Sequence, residues 1–166
     1  MPKYHRLLLA AAAAATIAVT SITAASASPR AHPTASGTEY VQVMSTSTTS
    51  SPASAIAYGL FTAAGQAHLG DAKLGTITFP GGTIMLSHAA QKGTSQFDPK
   101  TCLAIISQPG TYTIIGGTGK YAGITGHGNY HLSLVFIAAR SHGQCSSNRA
   151  PVARQELLRL SGPARL

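Results

Sequence analysis

Apolar and polar residues alternate along much of the chain with the two-residue period of β-strands. The longest such stretch, residues 127–139, places Tyr130, Leu132, Leu134 and Phe136 on one face and mostly polar residues on the other. Successive side chains of a strand point to opposite faces of a sheet, so this pattern predicts strands with one buried face. The sequence therefore indicates an all-β protein.

The same criteria predict seven strands before residue 150. They are expected at residues 40–46, 55–62, 74–79, 83–89, 102–107, 111–115 and 127–139. The Pro-Gly-Gly sequence at 80–82 and the Gln-Pro-Gly sequence at 108–110 predict hairpin turns between the strands that they separate. Residues 91–100 lack alternation and are predicted to form a loop.

Residues 151–160 fit either a helix or a strand. Their leucines have helical spacing, but they also fit a strand face that carries Arg154 and Glu156. An eighth strand would let the sheet close on itself and remove both unpaired edges. We therefore predict a strand here and a single eight-stranded antiparallel barrel, which is wide enough to be packed solid or to hold one small ligand.

The N-terminus has the three parts of a secretory signal peptide. Basic residues precede an apolar run at residues 7–19, and an Ala-Ser-Ala sequence ending at Ala27 is the pattern that signal peptidase recognises. We predict cleavage after Ala27, a flexible tether at residues 28–38 and a barrel domain at residues 39–166. The apolar run is too short and too rich in alanine for a membrane anchor. Secretion, with no membrane span left after cleavage, is expected.

Cys102 and Cys145 are the two cysteines of the chain, and both lie in the part predicted to be exported. An even number of cysteines in an oxidising compartment is expected to pair. Two isolated cysteines are a poor basis for a metal site, which usually needs four ligands. The sequence therefore predicts one disulfide.

A glycine-rich run at residues 115–128, IGGTGKYAGITGHG, resembles the G-G-T-G-K/R-F/Y turn of plant dirigent proteins and of the wider allene-oxide-cyclase-like barrel group. Shorter supporting stretches lie at residues 60–65, 76–80, 95–102, 151–153 and 161–163. The resemblance covers residues 39–163 and is to a secreted actinobacterial branch of this group. It implies an eight-stranded antiparallel barrel.

The resemblance does not carry an activity to particular residues. Proteins of the group work inside the barrel with acidic and other polar side chains, and this chain has four acidic residues. Glu39 is predicted to precede the first strand, and Asp71 and Asp98 to lie in loops. Glu156 alone is expected on a strand, with Arg154 as its ion-pair partner on the same face. None matches a catalytic motif of the group, so no catalytic residue is predicted.

Four side chains are instead candidates for contact with a ligand inside the barrel. They are Tyr112, Tyr130, His88 and Glu156. No cofactor or metal is predicted. His127 and His131, four residues apart, would be about 13 Å apart on a strand and should face outward.

Charge and aromatic content exclude one class of partner. The formal net charge is +8, but the basic residues are dispersed and there is no tryptophan, so no specific nucleic-acid partner is expected. We expect a secreted barrel with a non-catalytic binding or envelope-associated role and a packed lumen that holds no guest. A small apolar ligand is the partner expected if the lumen is open instead. Two alternatives stay open. One is a cyclase- or dirigent-like isomerase acting on a small apolar substrate inside the barrel, and the other is weak binding of extracellular polyanions.

Overall fold

The computed structural model describes residues 35–48, 52–69 and 74–166, which lie within one compact unit, Pro33–Leu166. The strands of this part are β1 (Ser36–Ser45), β2 (Ala53–Gly59), β3 (Ala63–Leu69), β4 (Leu74–Phe79), β5 (Gly82–Ala90), β6 (Thr94–Asp98), β7 (Leu103–Gly117), β8 (Thr125–Ile137), β9 (Arg140–Ser141), β10 (Gln144–Cys145) and β11 (Ala153–Arg165). A short 3-10 helix, Gly119–Tyr121, joins β7 to β8. The predicted signal peptide lies outside the described residues.

Eight of these strands close into an antiparallel barrel. Their order is β5-β4-β3-β2-β1-β11-β8-β7, and pairing between β5 and β7 completes the ring. Closure pairs the edges that an open sheet would leave exposed. The predicted fold class is therefore confirmed. Outside the ring, β6 pairs with the first part of β7, and β9 and β10 form a small separate hairpin.

The hairpin predicted at residues 108–110 is wrong, because β7 runs without a break from Leu103 to Gly117. The Pro109 carbonyl accepts a hydrogen bond of 2.9 Å from the Gln91 N–H. Gln91 lies between the end of β5 and the start of β6, so the N–H that proline lacks falls at a gap between two partner strands. Gly110 also has a packing role, since a Cβ there would lie 2.3 Å from the Tyr130 ring.

Two strands of the nine-stranded sheet, β3 and β6, lie where none was predicted. β3, with the sequence AAGQAHL, has no β-branched or aromatic residue. Gly65 allows it to approach β4, because a Cβ there would lie 2.0 Å from the Thr78 carbonyl oxygen. β6 occupies the middle of the predicted loop at residues 91–100. The predicted number of barrel strands was correct because β3 was missed and β7 was divided in two.

The first and last strands of the barrel extend further than predicted. β11 is a strand, as expected, but it continues to Arg165. β1 begins at Ser36, inside the predicted tether, and its whole length pairs with β11. Glu39 is therefore within β1, and the prediction that it precedes the first strand is wrong.

The lumen is packed with apolar side chains through its middle and at one end. On β2 the inward residues are Ala55 and Ala57, whereas Ile56 and Tyr58 are exposed on the outer face. Small residues on this strand leave room for larger ones opposite. The buried cluster comprises Val43, Ala55, Ala57, Ala67, Ile77, Phe79, Ile84, Leu86, Tyr112, Tyr121, Ile124, Tyr130, Leu158 and Leu160.

The glycine-rich turn closes this packed end. Tyr121, from the 3-10 helix, is fully buried, and its ring centroid lies 5.1 Å from that of Phe61 and 5.9 Å from that of Phe79. Gly119 has a φ of +58°, and a Cβ there would lie 1.9 Å from the Gly81 carbonyl oxygen. The turn therefore needs glycine for both its conformation and its close approach to the β4–β5 turn.

Candidate functional site

The opposite end of the barrel is bounded by a segment that a disulfide attaches to β7. Cys102, which directly precedes β7, is bonded to Cys145 of β10, as predicted. The Arg140 guanidinium adds hydrogen bonds to the carbonyl oxygens of Lys100 and Gly143. These contacts hold the β9–β10 hairpin and the residues after it against the barrel.

A pocket of about 530 Å³ lies at this end. Its walls are formed by Phe97, Leu134, Phe136, Ala138, Cys145, Ser146, Ser147, Arg149, Pro151 and Arg154. Its volume lies within the range typical of sites for small molecules, and most of its side chains are apolar with a few polar groups, as such sites usually are. We call it the mouth pocket. The disulfide-bonded Cys145 forms part of its wall.

An ion pair lies at the inner side of the mouth pocket. The Nη2 atom of Arg154 donates to the Oε2 atom of Glu156, two residues along the inward face of β11. The predicted partnership of these two side chains is confirmed. The Nε atom of Arg154 is buried and has no hydrogen-bond partner among the described residues. Arg154 therefore retains a donor that no described residue engages.

Three of the four candidate ligand contacts lie together in the middle of the lumen. His88 on β5 is opposite Tyr112 on β7, and its ring meets the Tyr130 ring edge-on with centroids 6.0 Å apart. Both tyrosines are buried in the core cluster, and burial raises the pKa of each phenol. Glu156 is separate from these three, since it lies beyond Leu158 on β11. The two tyrosines therefore belong to the packed core, and the partly buried His88 lies against Tyr130. Of the four candidates, only Glu156 lies beside the mouth pocket.

Glu39 is a buried acid that the sequence did not reveal. It is 4% exposed, and its Oε2 atom accepts a hydrogen bond of 3.1 Å from the Phe61 N–H. Burial raises the pKa of this carboxyl, although the N–H groups of Phe61 and Leu60 oppose the rise. Its Oε1 atom is buried without a partner among the described residues.

Two glycines on neighbouring strands, β11 and β8, lie between Glu39 on β1 and Tyr112 on β7. Gly162 pairs with Glu39, Gly128 pairs with Tyr112, and a Cβ on Gly162 would lie 2.7 Å from the Gly128 Cα. The inward face between the acid and the phenol therefore carries no side chain on these two strands. After burial, the negative charge of Glu39 is the next cause that raises the pKa of Tyr112.

The residues of the mouth pocket were mostly missed from the sequence. Phe97 lies in a segment predicted to be a loop, and it is 55% exposed although it faces the same way as the inward residues of β7. Phe136 was assigned to the buried face of the longest predicted strand, residues 127–139. Alternation along a strand predicts burial but not which residues lie nearby. The proximity of Phe136 to Arg154 depends on the register between β8 and β11, which no local pattern encodes.

The described residues contain neither a candidate metal-binding cluster nor a candidate membrane-spanning helix. In residues 35–48, 52–69 and 74–166, no three His, Cys, Asp or Glu side chains lie close enough to hold a metal ion. His127 and His131 are exposed, as predicted, and the Nε2 atom of His131 lies 2.9 Å from the Ser107 hydroxyl. No helix within the same ranges is long and apolar enough to cross a membrane.

Comparison with known proteins gives no relative. No protein-family model, no curated protein and no solved structure matches this chain.

Proposed function

We propose that this protein is a secreted barrel that binds a small, largely apolar ligand in the mouth pocket without transforming it. The observation that carries the proposal is the contrast between the two ends of the lumen. One end is filled by Phe61, Phe79 and Tyr121, whereas the other opens into a pocket of about 530 Å³. The pocket is partly open to solvent, so a guest can reach the apolar side chains that line it.

The chemistry of the pocket favours binding over catalysis. The carboxylate of Glu156, which lies beside the pocket, is engaged by Arg154. The buried Glu39 carboxyl lies among the packed residues of the closed end, beside Phe61. Neither acid is a free group facing the pocket, as a general acid or base in contact with a guest would be. Secretion is supported by the Cys102–Cys145 disulfide, because such bonds persist in oxidising compartments.

The test is saturable binding of N-phenyl-1-naphthylamine, an uncharged fluorophore that brightens in apolar sites. We expect binding to the wild-type protein and its loss in Ala138→Trp, which places an indole in the pocket. Ala64→Trp is the matched control, since Ala64 is exposed on β3. No saturable binding by the wild type, or equal binding by both tryptophan variants, would contradict the proposal. Native mass spectrometry of the protein secreted by its host would identify a retained guest.

A further inference from the structure

Four consecutive strands bring two phenyl rings and an arginine into one row at the mouth pocket. Phe97 on β6 pairs with Ala104 on β7, Ala104 pairs with Phe136 on β8, and Phe136 pairs with Arg154 on β11. Paired residues point to the same face of a sheet. Both phenylalanines and the arginine line the pocket, while Ala104 is buried and adds little bulk between the two ring positions.

From this row we infer that the mouth pocket takes a compact aromatic acid, with its ring against Phe97 and Phe136 and its anionic group on Arg154. The inference rests on the proposed function and specifies its ligand class. Neighbouring strands are about 4.8 Å apart, so a ring over Ala104 lies about two strand spacings from the Arg154 backbone, a distance that the arginine side chain and an acid group on the ring can span together. A ring stacked on a phenyl gains more than its buried area alone supplies.

The electrostatics of the pocket favour an anion. Arg149 and Arg154 both line it, and Glu156 balances one of these charges. The buried Nε atom of Arg154 lacks a partner among residues 35–48, 52–69 and 74–166. A buried donor left unpaired costs free energy that a carboxylate or sulfonate oxygen would recover.

The depth of the pocket favours a compact guest over a long chain. Leu132 and Leu158, paired across β8 and β11, lie one inward step beyond Leu134. Leu158 is buried in the core cluster and Leu132 packs against it. The lumen is therefore filled directly behind the pocket, and a long alkyl chain could not extend along the barrel axis.

The experiment compares three competitors that displace N-phenyl-1-naphthylamine: 2-naphthoate, its neutral analogue 2-naphthalenemethanol, and the aliphatic acid decanoate. We expect naphthoate to bind the wild type most tightly. Phe97→Leu should weaken naphthoate about twofold to tenfold and leave decanoate unchanged. Because Phe97 is half-exposed, this variant should fold. Tyr58→Leu is the matched control, because Tyr58 is an exposed aromatic residue on the outer face.

The anionic contact is tested with the double variant Arg154→Met, Glu156→Leu, which removes both members of the ion pair and keeps the net charge. It should weaken naphthoate about tenfold to a hundredfold and change the neutral alcohol little. Arg159→Met is the control, since Arg159 lies on the same strand but is exposed on the other face. Fluorophore binding combined with no preference for naphthoate would overturn the ligand class and leave the binding function standing. Absence of any binding would overturn both.

Discussion

The Oε2 atom of Glu39 on β1 accepts a hydrogen bond of 3.1 Å from the N–H of Phe61, in the turn between β2 and β3. This bond links a buried carboxyl to the turn that supplies an aromatic side chain to the closed end. Phe61 contacts both Phe79 and Tyr121 there. Glu39 is thus a structural acid whose protonation should affect stability.

We expect the stability of the protein to decrease as pH rises through the pKa of Glu39. Burial raises the pKa of this carboxyl above its ordinary value of 4.5, so the folded state binds the proton more tightly than the unfolded state does. The stabilisation is complete below the ordinary value and is lost as pH rises through the raised one. Glu39→Gln, which cannot ionise, should abolish this slope in urea unfolding measured from about pH 4 to about pH 8.

Asp98 provides a control of opposite sign. A hydrogen bond from the Thr101 hydroxyl and another from the Lys100 N–H lower the pKa of its carboxyl. The stability that Asp98 contributes is therefore lost as pH falls through its pKa. Asp98→Asn should leave the decrease at rising pH intact. The assignment to Glu39 is incorrect if its glutamine variant keeps the wild-type slope.

Gly119→Ala should destabilise the fold more than Gly123→Ala. Both glycines have positive φ, at +58° and +84°, so alanine costs about 1 to 2 kcal/mol at either site. A Cβ at Gly119 would also lie 1.9 Å from the Gly81 carbonyl oxygen, whereas a Cβ at Gly123 meets nothing within 4 Å. Thermal unfolding of the two variants makes the comparison, and equal losses would show that close packing at this turn is unimportant.

The strand-rich fold followed from alternation, but alternation could not show where one strand ends and the next begins. Pro109 and Gly110 have the composition of a turn, yet they lie within β7 at the point where its neighbour changes from β6 to β5. That change of partner depends on the tertiary structure, which the local sequence does not encode. β3 is a strand without a strand-like sequence. Its alanines and glycine lack strand propensity, and pairing with β2 and β4 holds them in place.

The candidate site was predictable in part. The inward face of β8 and the Arg154–Glu156 pair follow from side-chain alternation within single strands. The position of Phe97 opposite Ala104 depends on β6, a strand that exists because β7 extends past the end of β5. Burial of Glu39 likewise depends on a start of β1 that its polar sequence does not indicate. The positions of both side chains thus depend on pairing between strands that are distant in sequence, which a local pattern does not encode.

Removal of the disulfide should reduce both stability and ligand binding. Cys102 and Cys145 are 43 residues apart, and closing a loop of that length stabilises the folded state by about 4 kcal/mol in the chain-entropy model. Cys145 also lines the mouth pocket, so its wall would lose a covalent anchor. Cys102→Ala with Cys145→Ala should lower the urea midpoint and weaken fluorophore binding at temperatures where the variant stays folded. Two titratable thiols in the unreduced, unfolded wild-type protein would reject the bridge.

Two leucines on the inward face should separate the packed part of the lumen from the open part. Leu158 is 7% exposed and belongs to the core cluster, so Leu158→Ala should cost about 2 to 5 kcal/mol through the cavity that it leaves. Leu134 lines the mouth pocket, where part of its surface is already free of protein contacts. Leu134→Ala should therefore cost less stability than Leu158→Ala and alter the affinity for N-phenyl-1-naphthylamine more. Urea unfolding and fluorophore titration of both variants give the two quantities. Equal stability losses with no change in affinity would mean that the lumen is packed along its whole length and that the mouth pocket holds no ligand.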